Sequence, residues 1–484
     1  MPVTDAYRPE PRLMTLGPEF ADPVTPAVFP AQILRFRNDR AAATVGLDGL
    51  TDNEWLAAFA RFEPLPDNQP QPLAMRYHGH QFRHYNPDLG DGRGFLYAQL
   101  RETAGGRLLD LGTKGSGRTP WSRSADGRLT LKGGVREVMA TEMLEALGVP
   151  TSRTFSLVET GESLQRHDEP SPTRGAVMTR LSHGHIRFGS FQRHAFHNRP
   201  DLIRALMDHV IEAYYPHLDA VEADARPATL LAAVAENAAR MTAAWMTAGF
   251  VHGVLNTDNM NMTGESFDYG PYRFLPYSDP NFTAAYFDEN GLYSFGRQAE
   301  AVFWNLAQLA GVFTLFAEEA PLRKALDGFA PAYHGSLGKG MAMRLGVKSR
   351  GTEADAALAS AAFRALQDGA AALRWEPFFF DWFCGSASEA RALKGARAGL
   401  YASEAFLDFR GLLHGYEPDR PHRLTHPYFE QAEPEELLYD QIEALWAPIA
   451  AADDWGPFQA KLERIAAARQ GWGFAVTALS VSHS

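Results

Sequence analysis

A change of texture near Arg187 limits what this chain can fold into. On its N-terminal side the pattern has period two: Phe95, Tyr97 and Gln99 alternate with Leu96, Ala98 and Leu100. The turn formers Thr103-Ala104-Gly105-Gly106 follow, and 107–115 runs back, so the segment predicts a hairpin. Further strands are expected within 151–160 and 174–181. Between them Val135, Met139, Met143 and Leu144 recur at helical spacing, and Gly148 stops the helix. Beyond Arg187, Leu230, Val234, Met241, Trp245 and Ala248 share one helical face, and Gly249 offers a left-handed end. Residues 300–316 and most of 355–480 also read as helix. A strand-rich part followed by a larger helical part is an α+β order, with a cleft expected between the two.

Composition excludes several classes. Of 484 residues, 45% are hydrophobic, enough for a large core, and the formal net charge is −12. An acidic chain lacks the basic surface that phosphate-backbone binding requires, so nucleic acid is not an expected partner. Cys384 is the single cysteine, which rules out an internal disulfide and fits a reducing compartment. Beside Phe378, Phe379, Phe380 and Trp382 it reads as an inert core residue. No apolar run approaches the ~20 residues of a membrane span, and the proline- and acid-bearing N-terminus does not resemble a signal peptide. A soluble, cytoplasmic protein is expected. Residues 1–75, rich in proline and short apolar pieces, read as an extended arm packed on the core.

The stretch "HGVLNTDNMNMTGESFDYGP", 252–271, carries Asp258 and Asn259 together and then Asp268. Oxygen ligands gathered on a loop suit a hard cation such as Mg²⁺ or Mn²⁺ shared with substrate phosphates; the same residue types also form ordinary solvated turns. Upstream stand a glycine-rich turn, Gly90-Asp91-Gly92-Arg93-Gly94, then Lys114 at the end of a strand and Glu137 on the next helix. In that order the parts resemble a protein kinase: phosphate loop, lysine–glutamate pair, catalytic loop and metal aspartate. One slot departs. With His252, Leu255 and Asn259 aligned to the kinase loop, the catalytic aspartate falls on Val254, which cannot accept a proton, and Gly253 replaces the arginine. Asp91 and Arg93 also put charges where a phosphate would meet bare backbone.

The segments "YHGHQFRHYNPDLGDGRG", "GAVMTRLSHGHIRFGSFQ", "HGVLNTDNM", "DYGPY" and "YSFGRQ" resemble the selenoprotein O family, also called the YdiU family, over residues 75 to 310. The resemblance implies a protein-kinase-like bilobal fold: a strand-rich nucleotide-binding lobe (76–180), a helical lobe with the catalytic and metal loops (181–330) and a helical C-terminal extension (331–484). It implies a pseudokinase that binds ATP in a flipped orientation and transfers AMP to Ser, Thr or Tyr hydroxyls of proteins. UMP transfer with Mn²⁺ is attributed to bacterial members. On matching positions it implies nucleotide contacts at Gly90, Gly92, Arg93, Lys114, Asp126, Gly127, Arg180, Arg187 and Asp268. Asn259 and Asp268 would be metal ligands, Asp258 the proton acceptor, and Glu137 the residue that orients Lys114. A monomer is expected. The competing readings are a catalytically inactive nucleotide-binding scaffold and a small-molecule kinase with Asp258 as base.

Two positions depart from the family. Arg83 stands where a small residue is usual, and the terminal "ALSVSHS" lacks the cysteine or selenocysteine common there. Elsewhere, His78, His80 and His84 form a weak candidate for a metal trio, more readily read as hydrogen-bonded braces. Ser116 in "KGSGR" lacks the context of a hydrolase nucleophile. The stripe at 230–245 reads as core.

Overall fold

The computed structural model describes residues 3–167, 169–368 and 373–474; the terminal "ALSVSHS" and the last residues of the helical region expected at 355–480 lie outside them. The fold is mixed, with twelve strands among the described residues: β1 (Ala21–Pro23), β2 (Ile33–Arg37), β3 (Leu73–Met75), β4 (Gly79–Gln81), β5 (His84–Asn86), β6 (Leu96–Arg101), β7 (Leu108–Lys114), β8 (Leu129–Thr130), β9 (Arg153–Leu164), β10 (Thr173–Ser182), β11 (Phe250–Val251) and β12 (Arg273–Phe274). Eight of them form an antiparallel sheet in the order β1-β3-β6-β7-β10-β9-β2, with β8 beside β10. Helices α1 (Asp39–Ala43), α2 (Asp52–Phe59) and α3 (Leu131–Ala146) accompany this sheet. After it come α4 (Phe188–Phe196), α5 (Pro200–Tyr214), α6 (Arg226–Thr247), α7 (Gln298–Phe313), α8 (Glu319–Asp327), α9 (Phe329–Arg344), α10 (Thr352–Gln367), α11 (Trp375–Trp382), α12 (Glu389–Ala392), α13 (Glu404–Leu413), α14 (Tyr439–Ala452) and α15 (Gly456–Trp472).

Both faces of the β6–β7 hairpin are apolar and buried. The period-two alternation breaks at a register shift between Leu96 and Ala98, after which Ala98 and Leu100 join the same cluster as Phe95 and Tyr97. Leu96 and Leu108 face the core shared with α3, while Phe95, Tyr97, Leu109 and Leu111 face a second cluster. That second layer is built by the first 75 residues. Trp55 of α2 stacks on Phe155 at 4.9 Å and donates its indole N–H to Ser156 Oγ. The same segment supplies both edge strands: Asp22 pairs with Ala74, and Leu34 with Val158. The N-terminal segment is therefore a structural part of the sheet as well as a cover on it.

Helix α3 begins at Thr130, whose hydroxyl accepts the Gly133 N–H, and ends before Gly148 at φ +78°. One apolar core runs from the sheet through α3 and α6 to α14 and α15, so the C-terminal helices pack on the helix that carries Glu137. Arg469 of α15 pairs with Glu142 of α3, and Lys132 with Glu443 of α14 at 2.8 Å. Helix α6 stops at Gly249, φ +61°, where a Cβ would come within 2.6 Å of the Trp375 indole. Cys384 is fully buried, and burial pushes its thiol up to about 11. Activity is accordingly expected to be unchanged by dithiothreitol; a several-fold activation independent of protein concentration would contradict this. Among the described residues no helix is long and apolar enough to cross a membrane.

Candidate active site

The stretch 252–268 leaves α6 through the short β11–β12 pair and is held from several directions. His252 bonds the Phe267 carbonyl through Nε2 at 2.9 Å, and its backbone N–H reaches Gln298 Oε1. Asn305 donates to the Leu255 carbonyl. The β4–β5 hairpin closes over the loop: the His80 N–H donates to Thr257 Oγ1 at 2.7 Å and the Phe82 N–H to Asn256 Oδ1 at 3.0 Å. A Cβ at Gly79 would lie 3.0 Å from Asp258 Oδ1, so a larger residue there would press on that carboxylate. Two of the three histidines act as braces: His78 bonds Tyr85 Oη and Arg193, and His80 accepts from Gln192, while His84 is exposed.

The turn of that hairpin accounts for the departure at position 83. Phe82 and Arg83 have φ of +49° and +65°, the backbone of a two-residue turn that favours small residues. Arg83 accepts the strain while pairing with Glu300 at 2.9 Å and lying over the Trp304 ring. Left-handed backbone costs a non-glycine residue about 1–2 kcal/mol, and an exposed pair with a cation–π contact returns about the same. Arg83→Gly is thus expected to change stability by less than about 1 kcal/mol, read as the denaturant midpoint.

The structure brings seven of the sequence-singled residues together. Lys114, at the end of β7, pairs with Glu137 of α3 and lies 2.6 Å from Asp268 Oδ1. Arg180 of β10 approaches the same oxygen at 3.6 Å, and Asn259 donates to Asp268 Oδ2 at 3.1 Å. Arg187 donates to the Asp258 carbonyl at 2.9 Å and stacks over Tyr77 and Phe267. Burial alone would raise the Asp268 carboxyl, but Lys114, Arg180, Arg187 and Arg93 hold it well below the usual range. Asp258 goes the other way: burial pushes it up to about 6, against the pull of Arg187. Asp258 Oδ1, Arg180 Nη1 and Arg187 Nε are buried without a hydrogen-bond partner among the described residues. Polar atoms left in that state normally have a ligand or water to meet.

The remaining residues are held by contacts of their own. Arg93 is exposed and lines a cavity of about 470 Å³ with Lys114 and Glu137. That cavity gathers seven cations (Arg93, Lys114, Arg128, Lys132, Arg136, Arg166, Arg273) against three acids (Glu137, Glu169, Glu443), within a chain of net charge −12. Asp126 accepts from Arg166, which lines the cavity, at 2.8 Å. Gly127 sits at φ +71° with the Gly117 backbone against it. Gly90 and Gly92 pack on Trp121, where a Cβ at Gly90 would fall 2.3 Å from the ring.

Asp91 differs from the sequence reading. Its charge turns inward, 5% exposed, and accepts from the Met75 N–H, His185 Nε2 and Arg187 Nη2. It anchors a cation instead of facing a phosphate. Sequence reasoning also missed Tyr77 and Phe267, the two faces that hold Arg187, because neither position carries a periodic or compositional signal.

The description "Protein adenylyltransferase SelO" belongs to the family model that matches residues 4–466. The protein is therefore a nucleotidyltransferase. A relative from Synechocystis sp., named protein nucleotidyltransferase YdiU, is 44% identical over 474 residues, covering 94% of this chain and 97% of its own. Those of Synechococcus elongatus (44%, 94% of each chain) and Pseudomonas putida strain GB-1 (37%, 74% of this chain and 72% of its own) carry the same name. The chain belongs to the SelO/YdiU family.

Proposed function

We propose that this protein transfers AMP from ATP to Ser, Thr or Tyr hydroxyls of proteins and releases pyrophosphate, with UTP as a further donor to be tested. The observation that carries the reading is the bond from Arg187 to the Asp258 carbonyl. It sets a phosphate-binding fork beside an acid whose raised pKa suits a general base. The acceptor oxygen attacks the α-phosphorus and its proton passes to Asp258. The bond from the α-phosphorus to the bridging oxygen breaks, and the electron pair leaves with pyrophosphate. Arg180 and Arg187 hold the terminal phosphates inward, so that the α-phosphorus meets the hydroxyl. Lys114, oriented by Glu137, offsets charge on the phosphates, with Gly90, Gly92, Arg93, Asp126 and Gly127 completing the nucleotide contacts.

Asn259 and Asp268 would hold Mg²⁺ or Mn²⁺. The donor set fits: an ionised carboxylate beside an amide, hard ligands for a cation shared with phosphates. Among the described residues no group of three or more His, Cys, Asp or Glu is arranged to hold a metal by itself, so nucleotide oxygens would complete the shell. When bound, the ion supplies charge neutralisation at the phosphates. In this reading 76–180 and 181–330 are the two lobes of a kinase-like core, 1–75 and 331–484 pack around it, and the enzyme is a cytoplasmic monomer.

The test is label transfer. Protein acceptors, or the enzyme itself, are expected to gain label from α-labelled ATP and none from γ-labelled ATP, with a mass increase of about 329 Da and pyrophosphate release. Transfer of γ-label would replace this mechanism with phosphoryl transfer, and transfer of neither would favour a binding scaffold.

A further inference from the structure

We propose that Arg136 and Arg273 form a second anion site, which takes a carboxylate or phosphate on the acceptor protein; the inference rests on the transfer reaction proposed above. Arg136 lies on α3 one residue before Glu137 and about 100° round the helix. The glutamate turns in to Lys114 while the arginine turns out to the segment after Asp268. Arg136 Nη2 donates to the carbonyls of Gly270 at 3.2 Å and Tyr272 at 3.3 Å. Arg273 Nη1 donates to those of Pro271 at 3.2 Å and Tyr272 at 3.1 Å. Two guanidinium groups thus meet on one carbonyl oxygen. They also share one ring, Tyr439 of α14, at 5.9 and 3.8 Å from its centroid.

Neither arginine has a carboxylate in ion-pair contact among the described residues. Glu137 is taken by Lys114; Glu443, whose charge reaches Arg273, bonds Lys132 through Oε2, and its Oε1 is buried without a hydrogen-bond partner among the described residues. Burial, and then the charge of Arg136, push the Arg273 guanidinium below its ordinary value. A like-charged pair of forks over an aromatic ring, each with N–H groups to spare, suits a planar carboxylate or a phosphate.

Position points to the acceptor rather than the nucleotide. The nucleotide cations Lys114 and Arg180 converge on Asp268, whereas Arg136 and Arg273 bond the carbonyls of residues 270–272 and share the cavity with Tyr286 and Phe287. Phe287 packs 5.8 Å from Phe82, whose N–H is bonded to Asn256, so this aromatic rim joins the cavity to the loop of Asp258. A polypeptide with its hydroxyl at Asp258 and its flanking residues along the rim would reach the arginines. The net charge of −12 repels acidic segments elsewhere, which makes a local pair of cations selective for them.

The experiment reads binding without catalysis. The full chain, saturated with a non-hydrolysable ATP analogue and Mg²⁺, is titrated with hydroxyl-bearing peptides that carry phosphoserine, Glu or Gln a few residues from the acceptor. The wild type is expected to bind the phosphoserine or Glu peptide about tenfold or more tighter than the Gln peptide. Arg136→Gln/Arg273→Gln is expected to bind all three alike, with affinity for the analogue kept within about twofold. If the double variant does not fold, Arg136→Gln alone, which leaves Arg273 in place, is expected to show an intermediate preference. Preference for phosphoserine over Glu identifies phosphate as the ligand, and equal preference shows that a carboxylate suffices. Equal binding of all three by the wild type would overturn the site. So would a matching loss of nucleotide affinity in the variants, which would assign the arginines to the nucleotide. Absence of nucleotidyl transfer would overturn the reaction proposed above and leave this result standing.

Discussion

Asp258→Asn is expected to lower the transfer rate about 10²–10⁴-fold, the range for loss of a general base, while raising stability at neutral pH. Both effects have one cause. Burial lifts the carboxyl to about 6, and its Oδ1 has no hydrogen-bond partner among the described residues. A carboxyl whose folded pKa lies above its unfolded value is penalised by folding once it ionises. The penalty is absent below the unfolded value near 3.8, grows as pH rises to about 6, and is constant above that. At pH 8 the neutral amide escapes it, which is worth about 1–3 kcal/mol. The wild-type rate should rise with pH through about 6 and then level, because only the ionised acid accepts the hydroxyl proton. The variant should lose that limb. The measurements are kcat/KM against pH and thermal unfolding at pH 5 and 8. An unchanged rate would remove Asp258 from the chemistry, and a destabilised variant at pH 8 would show that its carboxylate has a partner the geometry does not reveal.

What was legible in the sequence follows from how local the cause was. The β6–β7 hairpin lies in a period-two pattern around Gly105-Gly106, and α3 and α6 lie in apolar spacing closed by Gly148 and Gly249. Lys114, Glu137, Arg180, Arg187, Asp258, Asn259 and Asp268 were marked by residue type and order, and they do converge. Distant pairings were not legible. Nothing local to Ala21–Pro23 or Ile33–Arg37 specifies β3 and β9 as partners, and their prolines and short apolar pieces read as an arm. The inward turn of Asp91 depends on His185 and Arg187, 94 and 96 residues away. Tyr439 meets Arg136 and Arg273 because α14 and α15 pack back onto α3, a contact that helical periodicity cannot assign.

The largest effect on both chemistry and fold is expected at Asp268. This carboxylate is the point where Lys114, Arg180 and the Asn259 amide meet, and it sits in left-handed backbone at φ +65°. Asp268→Asn keeps shape and backbone preference but removes the charge, so the transfer rate should fall about 10³-fold or more, the value of several kcal/mol of lost charge stabilisation at the phosphates. Stability should move opposite to the Asp258 case. Asp268 is held well below its ordinary value, so its contribution is fully present above the unfolded pKa near 3.8 and is lost as pH falls through the folded one. The variant should therefore be less stable than wild type at neutral pH, by about 3 kcal/mol, since two cations, themselves buried, lose a shared partner. The two proteins should converge in acid. Reading Tm at several pH values beside the initial rate separates these consequences. A variant that keeps wild-type activity with an unchanged dependence on Mg²⁺ or Mn²⁺ would exclude Asp268 as a metal ligand. One that loses activity without any neutral-pH destabilisation would show that Lys114 and Arg180 are compensated by Glu137 alone.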